Sequence, residues 1–148
     1  MKAPPALPDL ECACATIRRA TRLVTQLYDA EFRGILEATQ FSLLTVIAKK
    51  PGCNQAMIGR VLALDKTTLS RNLKLLERNG WIEHVASGDQ RERGFVLSSA
   101  GKTVLNAAQP RWKRAQRRLR SAMTDAEWSS MFESFRIAAE AAQRLNRT

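Results

Sequence analysis

The chain has 148 residues, 45% of them hydrophobic, with 24 Lys+Arg against 14 Asp+Glu and a formal net charge of +10. This is the size of one domain, or of one domain with a helical appendage, and it is too apolar for global disorder. The basic excess favours an acidic partner, nucleic acid or an anionic membrane surface, and no apolar run approaches the roughly 18–20 residues of a membrane-spanning helix.

Residues 1–8 hold three of the five prolines and are expected to form an irregular arm. Met1-Lys2-Ala3-Pro4-Pro5 leads into Asp9 and Glu11 with no apolar core of a signal peptide, so a cytoplasmic location is expected. From about Asp9 to Ile35, Leu10, Cys14, Ile17, Thr21, Val24 and Tyr28 recur at helical spacing and predict a long amphipathic helix. Thr39 is placed to cap a second helix through Phe41, Leu44, Ile47 and Ala48, which Pro51-Gly52 stops. Asn54 caps a third, from Gln55 to about Leu62. Asp65 caps a fourth, with Leu69, Leu73 and Leu76 on one face and Asn79-Gly80 at its end.

The period then changes. Trp81-Ile82-Glu83-His84-Val85 and Phe95-Val96-Leu97 flank the polar, glycine-bounded run 86–94, which reads as a β-hairpin with an extended tip. Ser98 or Ser99 opens another long helix, with a kink or break expected at Pro110. Thr124-Asp125-Ala126-Glu127 has the form of a capping box. The helix after it carries Trp128, Phe132, Phe135, Ala139, Ala142 and Leu145 at 3–4 spacing.

The cysteines, Cys12, Cys14 and Cys53, are odd in number, which argues against a disulfide framework in a cytosolic protein. A metal site is not expected. There is one histidine, His84, and two cysteines at i and i+2 of a helix point about 200° apart. Cys14 lies on the apolar stripe, where burial makes a thiol inert. An enzyme is not expected either, because one histidine and scattered acids supply no nucleophile–base pair or paired carboxylates. His84 reads as structural or surface.

Residues 54–80 have the layout of a helix-turn-helix. A recognition helix places its first turns in the major groove and needs small polar and basic side chains there, with its apolar side anchored. Lys66, Thr67, Thr68, Ser70, Arg71 and Lys74 meet that need opposite Leu69, Leu73 and Leu76. The hairpin that follows makes the unit a winged helix, with Arg91 and Arg93 at the tip to reach the minor groove and its phosphates. The expected class is mainly α, an α+β winged helix-turn-helix with long terminal helices. Residues 1–35 would be an arm and dimerisation helix, 36–101 the DNA-binding lobe, and 102–148 the C-terminal dimerisation helices. A monomer this small would leave both apolar terminal stripes partly wet, which favours a dimer.

The run Asp89-x-Arg91-x-Arg93-x-x-x-Leu97-Ser98-x-x-Gly101 resembles the wing signature of the MarR (multiple antibiotic resistance regulator) transcription factors. Asp65-Lys66-Thr67-Thr68-Leu69-Ser70-Arg71 and Leu76-Glu77-Arg78-Asn79-Gly80-Trp81-Ile82 resemble that family's recognition helix and its exit. The resemblance extends over essentially the whole chain. It implies a homodimeric regulator, a repressor or an activator with the repressor favoured, whose two recognition helices enter successive major grooves of palindromic promoter DNA. By the same motif Asp89 orients Arg91 or Arg93. The resemblance also implies release by a small aromatic or phenolic ligand in a cleft that Arg22, Tyr28, Phe41 and Trp112 would line. A thiol-sensing variant would use Cys12 or Cys14, and a rival outside the class is an adaptor that uses the fold for protein contacts only. No cofactor is implied. Residues 103–123 carry a net charge of +6 against +3 for residues 54–102, so the block from Arg111 to Arg120, read as a solvated face or a second phosphate-contacting patch, holds most of the excess.

Overall fold

A computed structural model describes residues 6, 8–86 and 92–147. The first helix, α1 (Ala13–Phe32), starts four residues later than the sequence pattern predicts. The Asp9 carboxylate accepts from the Glu11 backbone N–H at 2.9 Å and closes a turn there, so Asp9 does not begin the helix. Cys12 caps α1 instead, its Sγ accepting from the Ala15 N–H at 3.5 Å. Gly34, at φ +84°, ends the helix, and Ile35 lies beyond it.

The second helix, α2 (Ala38–Lys49), also departs from expectation at its start. Its N-cap is Glu37, not Thr39. The Glu37 N–H donates to Gln40 Oε1 at 2.8 Å, and the Ala38 N–H donates to Asp29 Oδ1 of α1 at 2.7 Å. These carboxylate and amide oxygens satisfy the first-turn donors, so a Thr39 cap has nothing left to do.

A two-residue strand, β1 (Cys53–Asn54), precedes α3 (Gln55–Leu62) and α4 (Lys66–Arg78). Ala63 turns left-handed at φ +51° and links the two helices. The hairpin is β2 (Ile82–Ala86) and β3 (Arg93–Leu97), with His84 opposite Phe95 and Ile82 opposite Leu97. β1 pairs with the other edge of β3, giving the antiparallel order β1-β3-β2. The wing is therefore a three-stranded sheet and not a bare hairpin. The core of this unit, which extends through Trp112, holds Phe32, Leu43, Leu44, Ile47, Ile58, Leu69 and Leu76, all fully buried.

Helix α5 (Ser99–Ser121) runs through Pro110 without the expected break. A proline there removes one N–H donor to the Asn106 carbonyl, but Asn106 and Pro110 are both exposed, so water can reach that carbonyl. The second unit begins at Lys113 and contains α6 (Asp125–Leu145). Its capping box is as the sequence predicts. The Thr124 N–H donates to Glu127 Oε2 at 2.7 Å, and the Glu127 N–H donates to Thr124 Oγ1 at 3.2 Å. No residue of α6 is buried, and Phe132, Phe135 and Leu145 stand exposed. On α1 only Phe32 is buried; Ile17 and Leu23 on it are exposed, as is Leu10 just before it. Among the described residues no helix is long and apolar enough to cross a membrane.

Candidate nucleic-acid interface

Helix α4 is held from both ends. At its start the Asp65 carboxylate accepts from the Thr68 hydroxyl at 2.6 Å and from the Thr68 backbone N–H at 2.8 Å. These bonds favour the ionised form and pull the Asp65 pKa below its ordinary value, with the Thr68 hydroxyl as the largest cause. At its end Gly80 adopts φ +73°, and the Trp81 N–H returns to the Leu76 carbonyl at 3.0 Å. Leu69, Leu73 and Leu76 are buried between these ends.

The opposite face is open. Lys66, Thr67, Ser70, Arg71 and Lys74 together line a surface groove of 430 Å³. The structure thus brings five of the six predicted α4 residues to one place. Thr68 is set apart, because its hydroxyl is committed to Asp65. The cap makes a testable contribution. A carboxylate with a depressed folded pKa stabilises above its unfolded pKa, and that stability is lost as pH falls through the folded value. Asp65→Ala is therefore expected to lower the melting temperature at neutral pH. Thermal melts of both proteins at decreasing pH should converge below the ordinary aspartate range; a gap that persists there would show that the cap does not act through its charge.

The base of the wing is braced by side-chain contacts between elements that sequence reasoning did not foresee. Asn54 caps α3, accepting from the Met57 N–H at 2.9 Å, and its amide donates to Glu92 Oε2 at 2.5 Å. The His84 Nε2 of β2 meets the Glu77 carboxylate of α4, and the His84 ring lies 4.8 Å from that of Phe95. His84 is thus structural, as the sequence suggests, and it links wing to recognition helix. Ser98 donates to the Gly80 carbonyl at 2.5 Å and accepts from the Gly101 N–H at 3.0 Å, tying the end of α4 to the start of α5. Arg93 is exposed on β3, while Asp89 and Arg91 lie outside the described residues. Only a tertiary pattern could have found the Glu77–His84 pair, since the residues belong to different elements.

A second cavity, of 620 Å³, opens between α3, the start of α4 and the wing. Its lining includes Arg60 and Gln55, which the helix-turn-helix pattern did not pick out, together with Lys66 and Arg93. The exposed α3 face, read one helical turn from Ala56 to Arg60, was the available signal.

The residues proposed for a ligand cleft are placed differently from one another. Tyr28, Phe32, Phe41 and Trp112 form a continuous aromatic ladder, with centroids 6.3, 5.0 and 6.3 Å apart, and Phe41 is buried within it. Arg22 is exposed on α1 and is not part of the ladder. Cys12 and Cys14 are both exposed, which corrects the expectation that Cys14 is buried: at this end of α1 the described residues do not cover the stripe, which is part-buried only from Val24 on. Cys53 is buried in β1, and burial raises its pKa. The basic block is not one uniform patch. Arg111 donates to the Glu31 carbonyl at 3.4 Å, while Arg120 pairs with Asp125 and lies 5.7 Å over the Trp128 ring. Lys113 and Arg117 are exposed.

Comparison with known proteins places this geometry. The model of the MarR family matches residues 36–92, which hold α2, α3, α4 and β2. The transcriptional regulator HosA of Escherichia coli is 35% identical over 77 residues, covering 51% of this chain and 56% of that protein, so the chain spans about half the length of this curated relative. The M. tuberculosis transcriptional regulator MosR, solved in complex with DNA, is 32% identical with a TM-score of 0.82, over 91% of this chain and 98% of that one. The PcaV regulator of Streptomyces coelicolor shares the fold, with a TM-score of 0.81 at 23% identity over 93% of this chain and 99% of that one. With its winged helix, its motif-bearing α4 and a relative alike over nearly its whole length, the chain belongs to the MarR family.

Proposed function

We propose that the chain is a DNA-binding transcriptional regulator, a repressor that acts as a homodimer on palindromic promoter DNA in the cytoplasm. The observation that carries this is the open face of α4. Lys66, Thr67, Ser70, Arg71 and Lys74 converge on one groove while three leucines fix the other side. In this reading Lys66, Lys74 and Arg93 hold phosphates, and Arg91, which the wing motif points to, joins them. Thr67, Ser70 and Arg71 read base edges. Thr68 orients the helix through Asp65. The DNA complex of MosR and the regulator HosA support this reading by kinship. The uncovered apolar faces of α1 and α6 support the homodimer, since an exposed stripe of this kind favours a partner.

The test is a binding measurement with the DNA flanking the chain's own gene and with a scrambled duplex. Arg71→Ala is expected to cost about 1–3 kcal/mol on the palindrome and to narrow the gap between the two duplexes. Unchanged affinities for both would remove Arg71 from base readout.

One observation favours a second reading, in which the regulator senses oxidants through its first helix. The exposed Cys12 thiol sits at the N-cap of α1, with its sulfur facing the Ala15 N–H and open to an oxidant from solvent. Loss of DNA affinity on mild peroxide treatment, abolished in Cys12→Ser, would support it, and peroxide insensitivity would remove it.

A further inference from the structure

The 620 Å³ cavity beside the recognition helix is built unlike the groove on its outer face. Arg60 comes from α3, Lys66 from the first turn of α4 and Arg93 from β3, so three separate elements deliver three cations to one space. Among the described residues, none of the three is in an ion pair. The other titratable groups in the lining are already engaged. Glu92 accepts from Asn54, and His84 faces Glu77 across from Phe95. With Glu92 counted, the described residues of the lining keep a formal excess of +2. Leu64, Leu69, Ala56 and Phe95 form an apolar part of the wall, and Gln55 adds one amide. The volume falls within the range of about 300–1,000 Å³ typical of small-molecule sites.

We propose that this cavity binds a small organic phosphate monoester and that its occupancy competes with DNA. A monoester carries about −1.5 to −2 charges near neutral pH, which matches the excess, whereas a single carboxylate leaves a cation uncompensated. Arginine forks from two directions suit a phosphate, with lysine as a point charge between them. The apolar wall takes the organic body, which a DNA phosphodiester does not have at that position. Competition follows because Lys66 and Arg93 are also assigned to DNA phosphates; this part rests on the proposed DNA-binding function. A ligand that neutralises both removes two backbone contacts per chain and occupies the space between wing and recognition helix.

The experiment is calorimetric titration of the full chain, without DNA, at pH about 7.5, where a monoester is dianionic. Phenyl phosphate is the probe, with inorganic phosphate and benzoate as comparisons. Phenyl phosphate is expected to bind about tenfold more tightly than either, and Arg60→Ala to weaken it by about tenfold. Ala56→Trp, on an exposed helix position, is expected to fill the cavity and abolish binding while the melting temperature stays unchanged. Equal binding of inorganic phosphate would overturn the role of the apolar wall, and equal binding of benzoate would overturn the dianion. Absence of phenyl phosphate binding, with DNA affinity reduced in Arg60→Ala, would assign the cavity to the DNA backbone and overturn the ligand site. Ligand binding that leaves DNA affinity unchanged would overturn the competition alone. Because binding is read without DNA, failure of the DNA-binding function does not imitate failure of the site.

Discussion

Replacing Gly101 by alanine is expected to destabilise the winged lobe by about 3 kcal/mol or more, a large fraction of the stability of an ordinary domain. A Cβ at this position would sit 1.9 Å from the Trp81 carbonyl oxygen and 2.9 Å from its carbon. Neither atom can retreat easily. The Trp81 oxygen accepts from the Ser98 N–H at 3.0 Å, and the Trp81 N–H is fixed to Leu76. Ser98 itself holds Gly80 and Gly101. The clash is therefore with backbone that is bonded on both sides. Gly80→Ala is the control. It sits at φ +73° with nothing near its missing Cβ, so only the left-handed conformation is penalised, by about 1–2 kcal/mol. Urea denaturation of the two variants separates the effects. If Gly101→Ala proves no less stable than Gly80→Ala, the approach of α5 to Trp81 is not rigid.

Raising salt from about 50 to 200 mM is expected to weaken duplex binding by about 10³–10⁵-fold for a dimer that neutralises about six to ten phosphates. The described cations assigned to DNA in each chain are Lys66, Arg71, Lys74 and Arg93, which two chains double. Fluorescence anisotropy at several salt concentrations reads the slope. Lys74→Ala should make it shallower by about one phosphate for each chain, with nearly the same loss on palindromic and scrambled DNA. Lys113→Ala and Arg117→Ala should leave it unchanged if the basic block is a solvated face. A slope that falls with them would make the block a second phosphate-contacting patch. Absence of duplex binding at low salt would favour an adaptor that uses the fold for protein contacts.

Local chemistry made much of the fold legible in the sequence. Asn54, Asp65 and Thr124 cap helices with donors three residues away, so their roles are written in short spacings. Asn79-Gly80, the leucine face of α4 and the change to a period of two at Trp81 are local in the same way. What was not legible depends on distant residues. The start of α2 is set by Asp29, nine positions before the N–H it accepts. β1 is two residues long and carries no alternation; it is a strand because β3 passes beside it. Pro110 breaks helices in general, yet the carbonyl that loses its N–H donor here belongs to Asn106, an exposed residue. Cys14 follows the apolar stripe as the spacing says, but a stripe marks a surface that seeks cover and does not say that this chain alone provides it. Within the candidate site, the open face of α4 was readable from side-chain type and period. The commitment of Thr68 to Asp65, the Glu77–His84 pair and the placement of Arg60 with Lys66 and Arg93 required the packed structure.

The short strand β1 has a mechanical consequence. Gly94 approaches the Gly52 carbonyl so closely that a Cβ would lie 2.4 Å from its oxygen, and the Gly52 N–H donates to Phe95 at 2.8 Å. With Asn54 gripping Glu92, the root of the wing is clamped on the side away from β2. A two-stranded ribbon pivots at its root, whereas a clamped one behaves as a cantilever. Under the proposed function, the angle between the groove that α4 would read and the groove that the wing would meet is then a fixed dimension of the lobe, and DNA that does not match it would have to bend to fit.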